Sequence, residues 1–134
     1  MNSFPNLYLS PVSCGFPSPA DDYIESPLDL NEYLVTRPAA TFFVRAKGDS
    51  MIDAGISEGD LLIIDRSIKA RSGHVVLAIL NGEFTLKRWQ IDKNGSYWLF
   101  PENKNYKPIQ VTDESEFSVW GVAVHCIHKL LPTL

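Results

Sequence analysis

From Thr41 onward, apolar residues either alternate with polar ones or form short unbroken blocks, and this pattern predicts strands rather than helices. The runs are Thr41 to Ala46, Leu61 to Asp65, Val75 to Leu80, Glu83 to Gln90, Tyr97 to Phe100 and Phe117 to Ile127. Asn81-Gly82, between the third and fourth runs, predicts a two-residue hairpin because both residues tolerate the positive φ angles of a type I′ turn. Asn94-Gly95 has the same role before Tyr97, and Gly59-Asp60 and Ser72-Gly73 mark further turns. Short strands separated by turns predict a mainly β fold over residues 41–134, a small barrel or sandwich.

Residues 1–40 read differently. Pro5, Pro11, Pro17, Pro19, Pro27 and Pro38 each remove a backbone donor and disfavour helix just before them, which predicts an extended arm. One short helix is expected at Ser26 to Val35. Ser26 would be its cap and Pro27 its first residue, with Leu30, Tyr33 and Leu34 on one face packing against the domain.

A chain of 134 residues, 45% hydrophobic and 21% charged, suits one soluble domain with an arm. No basic start leads into an apolar block, so no secretory signal is expected. The C-terminal apolar run is broken by Gly121 and His125, well short of the roughly 18 residues a spanning helix requires, so no membrane span is expected. The expected location is the cytoplasm, where Cys14 and Cys126 stay as free thiols. A net charge of −4 and a pI near 5.3 give no general attraction to phosphates, and direct sequence-specific DNA binding is not expected.

The candidate chemistry lies where the first strand stops. Lys47-Gly48-Asp49-Ser50-Met51 places a serine just beyond a tight turn, and Ser50 is read as a nucleophile. A serine hydroxyl needs a base to take its proton at neutral pH. Lys87 is the best candidate, because the alternation of Glu83 to Trp89 puts Thr85, Lys87 and Trp89 on one strand face. Partial burial there would disfavour the ammonium form and lower its pKa, as a general base requires. Turn duty for Ser50 and a solvent-reaching tail for Lys87 are the plain structural alternatives.

The order Cys14-Gly15, Gly48-Asp49-Ser50-Met51, Gly59-Asp60-Leu61-Leu62, then Phe84-Thr85-Leu86-Lys87 resembles the self-cleaving LexA-type serine peptidases, and most closely the UmuD-type SOS mutagenesis proteins. The likeness runs from Cys14-Gly15-Phe16-Pro17-Ser18-Pro19-Ala20 to Val119-Trp120-Gly121-Val122-Ala123-Val124-His125. It implies that Ser50 is the nucleophile, Lys87 the general base and Cys14-Gly15 the bond cut. The backbone amides of Asp49 and Ser50 would hold the oxyanion. LexA-type repressors carry Ala-Gly at the cut, so Cys14 favours the mutagenesis branch. The resemblance further implies stimulation by RecA filaments on single-stranded DNA, a homodimer, and service as accessory subunit to a Y-family translesion DNA polymerase. No cofactor is implied. The stretch from Gly15 to Thr41 extends to roughly 85 Å at about 3.3 Å per residue, so both cleavage in cis and cleavage in trans within a dimer are within reach.

The chief rival is a non-enzymatic β-domain whose arm docks onto a partner protein. A truncated LexA-type repressor is disfavoured by the acidic charge, by Cys14-Gly15 and by the lack of room for a helix-turn-helix before residue 26. Membrane-held signal peptidases, which also use a Ser/Lys dyad, are disfavoured by the absence of an apolar segment. His125-Cys126-x-His128 offers too few converging ligands for a metal, since on a strand His125 points away from Cys126 and His128. Asp49, Asp53 and Asp60 are read as turn and cap residues, and Arg66, Lys69, Arg71, Lys104 and Lys107 as solvated surface. The apolar strand Phe117 to Val124 is read either as a dimer surface or as a core strand.

Overall fold

The structure, a computed structural model, describes residues 4–8, 12, 14, 15 and 25–132. The chain divides into two compact units, Met1–Thr36 and Arg37–Leu134.

In the first unit the expected extended arm carries a two-stranded ladder. Strand β1 (Asn6–Tyr8) pairs antiparallel with β2 (Glu25–Pro27), and Leu28 N–H donates to Pro5 O at 2.9 Å. Helix α1 is shorter than expected, Leu30–Leu34, and its cap is Asp29, whose carboxylate accepts from Asn31 N–H at 2.9 Å. Ser26 cannot cap it because it pairs with Leu7 in the ladder. Residues 16–20 of the Cys14 to Ala20 motif lie outside the described residues.

The second unit holds seven antiparallel strands: β3 (Thr41–Arg45), β4 (Leu61–Asp65), β5 (Val75–Leu80), β6 (Glu83–Ile91), β7 (Tyr97–Phe100), β8 (Ile109–Val111) and β9 (Phe117–Ile127). Their order in the sheet is β3-β4-β9-β5-β6-β7-β8. The mainly β reading holds. The Asn81-Gly82 turn joins β5 and β6 with both residues at positive φ, 50° and 84°. β8 was not expected, because three residues are too few to display an alternation.

The unbroken apolar blocks are explained by burial on both sheet faces. Leu62, Ile64 and Leu77 gather with Met51 and Ile56 in one cluster, while Val76 and Ala78 gather with Leu99 and Val122 in another. β9 ties the two halves together. Its first part, Phe117 to Val122, pairs with β5, and its second part, Val122 to Ile127, pairs with β4. Gly121 sits where the partners change, and a Cβ built on it would lie 2.4 Å from Ile64 Cγ2. β9 is thus an inner strand whose middle, Gly121 and Val122, is buried, while Ser118, Cys126 and Ile127 stay exposed. It lies between β4 and β5 in the sheet, and each half pairs along one edge.

At the end of β4, Asp65 is buried and held by Ser67 and Arg37. The Ser67 hydroxyl, then against burial the Ser67 N–H and Arg37, keep its carboxyl below the usual range. A depressed carboxyl adds stability that is present above its unfolded value and lost as pH falls through the folded one. Urea midpoints measured from neutral pH down into the acid range should therefore decline less steeply in Asp65→Asn than in the parent. An identical acid limb in both proteins would remove Asp65 from the account.

Among the described residues no helix is long and apolar enough to cross a membrane.

Candidate active site

Ser50 owes its position to a turn braced on two sides. Leaving β3, the chain stays bridged to the end of the 57–60 turn: Ala46 N–H donates to Asp60 O and Gly59 N–H to Ala46 O, both at 2.9 Å. Gly48 then turns the chain at φ +80, a left-handed conformation costly for a residue with a Cβ, and its N–H donates to Glu58 Oε1. Met51, only 3% exposed, anchors the far side of the turn in the core. Ser50 is left half-buried between the two anchors.

The second brace comes from the loop between β7 and β8. Glu102 N–H donates to Ser50 O at 2.8 Å, Asn103 Nδ2 to Asp49 O at 2.9 Å, and the Tyr106 hydroxyl to Asp49 Oδ1. Arg88, next to Lys87 on β6, pairs with the Glu102 carboxylate. The reading of Asp49 as a turn residue is thus incomplete, since it is also tied to this loop. Sequence reasoning did not find Glu102, Asn103 or Tyr106. Pro101 to Lys107 reads as a polar loop, and nothing local in it says where the loop docks.

Lys87 projects from β6 opposite Val76 of β5 and is half-buried. Its Nζ lies 3.1 Å from Ser50 Oγ, 3.0 Å from Thr85 Oγ1 and 3.0 Å from Leu86 O. Among the described residues no carboxylate pairs with it, and desolvation lowers its pKa from the ordinary lysine value of 10.5. A neutral amine has two N–H groups and one lone pair. With Thr85 and Leu86 accepting the two hydrogens, the lone pair is left for the hydroxyl of Ser50. Thr85, expected only to share the face of Lys87, thus also fixes its amine.

Ser50 and Lys87 border a cleft of about 350 Å³ whose walls include Val44, Met51, Leu77, Phe84, Leu86 and Trp120. Most of the lining is apolar, with Arg45, Lys47 and Thr85 as further polar members beside the pair. Among the described residues, the N–H groups of Asp49 and Ser50 donate to no protein acceptor. They are free to receive an oxygen. Arg66 is exposed, as expected of a surface residue, and in addition its guanidinium lies 4.3 Å from the Trp120 ring centroid and its Nε donates to Trp120 O.

Cys14 and Gly15 belong to the first unit and both are exposed. Cys126 Sγ and His128 Nδ1 converge on the buried carboxylate of Asp60. Desolvation, the hydrogen bond to Asp60 and its charge push the Cys126 thiol up to about 11, so it is a poor nucleophile. Among the described residues no three His, Cys, Asp or Glu side chains gather as a metal site would require.

The profile of the Peptidase S24-like family matches residues 6–124. The chain is 41% identical over 123 residues to Protein ImpA of Salmonella typhimurium, covering 92% of this chain and 83% of that one. It is 44% identical over 127 residues to Protein SamA of Salmonella typhimurium strain LT2, covering 95% of this chain and 87% of that one. It is also 39% identical over 116 residues to the LexA repressor of Bordetella parapertussis, covering 87% of this chain and 53% of the repressor.

Proposed function

Because the chain belongs to the Peptidase S24-like family of serine peptidases, we propose that residues 41–134 form a peptidase that cuts its own arm, residues 1–40, between Cys14 and Gly15. The contact of Lys87 Nζ with Ser50 Oγ at 3.1 Å, inside a largely apolar cleft, is the observation that carries this reading. Neutral Lys87 takes the proton of Ser50, and Oγ attacks the carbonyl carbon of Cys14. The amides of Asp49 and Ser50 receive the developing oxyanion. As the Cys14–Gly15 bond breaks, the proton passes from Lys87 to the amine of Gly15, leaving Cys14 esterified to Ser50. Lys87 then deprotonates a water that hydrolyses the ester.

The product, starting at Gly15, is an accessory subunit for a Y-family translesion polymerase in the SOS response, and RecA filaments on single-stranded DNA stimulate the cut. It acts in the cytoplasm as a homodimer. The resemblance to UmuD-type proteins supports these roles. The test is direct: the purified full-length chain is incubated and its mass followed. A fragment beginning at Gly15 is expected, whereas an intact chain under alkaline conditions and with RecA filaments would favour the non-enzymatic docking module.

The pH dependence has a defined sign. Only neutral Lys87 is a base, so the rate of unassisted self-cleavage should rise with pH and level off above the lowered pKa of this lysine, with its midpoint below 10.5. A rate that falls steadily from neutral to alkaline pH would contradict Lys87 as base.

A further inference from the structure

We propose that Asn103 is a positioning residue for self-cleavage, holding the Asp49–Ser50 peptide plane so that the Ser50 N–H is aimed as an oxyanion donor. The proposal rests on the reading of Ser50 and Lys87 as the catalytic pair. In a trans peptide the C=O of one residue and the N–H of the next lie in one plane and point in opposite directions. The described chain has no cis peptide bond. Whatever grips the carbonyl of Asp49 therefore sets the direction of the Ser50 N–H.

Two donors grip that carbonyl. Ile52 N–H does so at 3.2 Å from within the same turn, and Asn103 Nδ2 at 2.9 Å from the distant loop between β7 and β8. Asn103 is the tether that the turn cannot supply for itself. Its own position is set in turn: Asn103 Oδ1 accepts from Asn105 N–H at 2.9 Å, and Tyr106 N–H donates to Asn103 O at 3.0 Å. On one flank Glu102 N–H holds Ser50 O and on the other the Tyr106 hydroxyl holds the Asp49 carboxylate, so the loop fixes both residues of the plane. A preorganised donor is effective because it needs no reorientation when charge develops on the carbonyl oxygen.

The experiment compares full-length wild type, Ser50→Ala, Asn103→Asp and Asn103→Leu, measuring first-order self-cleavage from neutral to alkaline pH together with melting temperature. Asn103→Asp keeps the acceptor for Asn105 but exchanges the donor for a charged oxygen, and Asn103→Leu removes donor and acceptor without adding charge, so loss of the donor is what the two variants share. Both should lower the alkaline plateau roughly ten- to a hundredfold, less than outright removal of an oxyanion donor, with the pH midpoint and melting temperature unchanged. Wild-type rates in both Asn103 variants, with Ser50→Ala inactive, would overturn the proposal and leave the catalytic pair standing. So would slowing in Asn103→Asp alone, which would be a charge effect, or slowing accompanied by a shifted midpoint or lowered melting temperature. Cleavage by Ser50→Ala at the wild-type rate would instead overturn the reading beneath it.

Discussion

Replacing Ser50 with alanine is expected to slow the release of a fragment beginning at Gly15 by about a thousandfold or more, because among the described residues the only other hydroxyl bonded to Lys87 is that of Thr85, which holds the amine in place. Lys87→Ala should lose a similar factor. Lys87→Arg should be as inactive, since a guanidinium stays protonated and has no lone pair to offer. The double variant Ser50→Ala/Lys87→Ala should be no slower than either single one, because two residues acting as a unit are lost together. Stability should change little. Both residues are only half-buried, and removing Lys87 strands no charged partner, since its acceptors are a hydroxyl and a carbonyl. Mass spectrometry of each protein over time, with a melting curve as control, makes the comparison. Cleavage at the parent rate in either single variant would remove that residue from the mechanism.

Gly121→Ala is expected to destabilise the second unit by about 2 kcal/mol, and Gly121→Val by more, through overpacking of a filled core. The new Cβ would meet Ile64 Cγ2 at 2.4 Å, and Ile64 is fully buried with nowhere to retreat; Arg66 Cγ at 3.3 Å and Asp65 O at 3.5 Å close the other sides. Against a typical stability of about 5–15 kcal/mol this is a large fraction. A double-mutant cycle isolates the cause. Ile64→Ala alone should cost about 2–5 kcal/mol through the cavity it leaves, yet Gly121→Ala added to it should cost far less than in the parent, because the clashing methyl is gone. Urea unfolding of the four proteins supplies the energies. A parent-like midpoint for Gly121→Ala, or strict additivity in the cycle, would show that the chain accommodates the methyl by another route.

The strands were legible because their information is local. β4, β5, β7 and β9 have the bounds their apolar runs suggest, and the Asn81-Gly82 turn could be read from two residues. What failed was set by distant partners. Ser26-Pro27 has the local form of a helix start, yet Ser26 is drawn into pairing with Leu7, and the helix begins only after Asp29. β8 exists because β7 lies beside it, and no three-residue segment announces such a neighbour. The candidate site divides the same way. Ser50 and Lys87 were singled out by a turn, an alternation and a family pattern, and the fold brings their side chains together. The loop carrying Glu102, Asn103 and Tyr106 was missed because its role consists of gripping the backbone and the Asp49 carboxylate of a turn about fifty positions away.

The ladder between β1 and β2 has a consequence for reversibility. Cys14 and Gly15 lie in the chain between the two strands, so a cut there leaves Asn6–Tyr8 and Glu25–Pro27 on separate molecules. Before the cut the strands belong to one chain and meet at the effective concentration that a short connection imposes, of about millimolar order. Afterwards they meet only at the concentration of the free peptide, and a pairing of three residues per strand is too small to hold against that dilution. Loss of the tether alone would thus let the released segment diffuse away, and resealing the peptide bond would require a reaction partner that is no longer present. Irreversibility would then arise from dilution, with no need for the remaining domain to change shape.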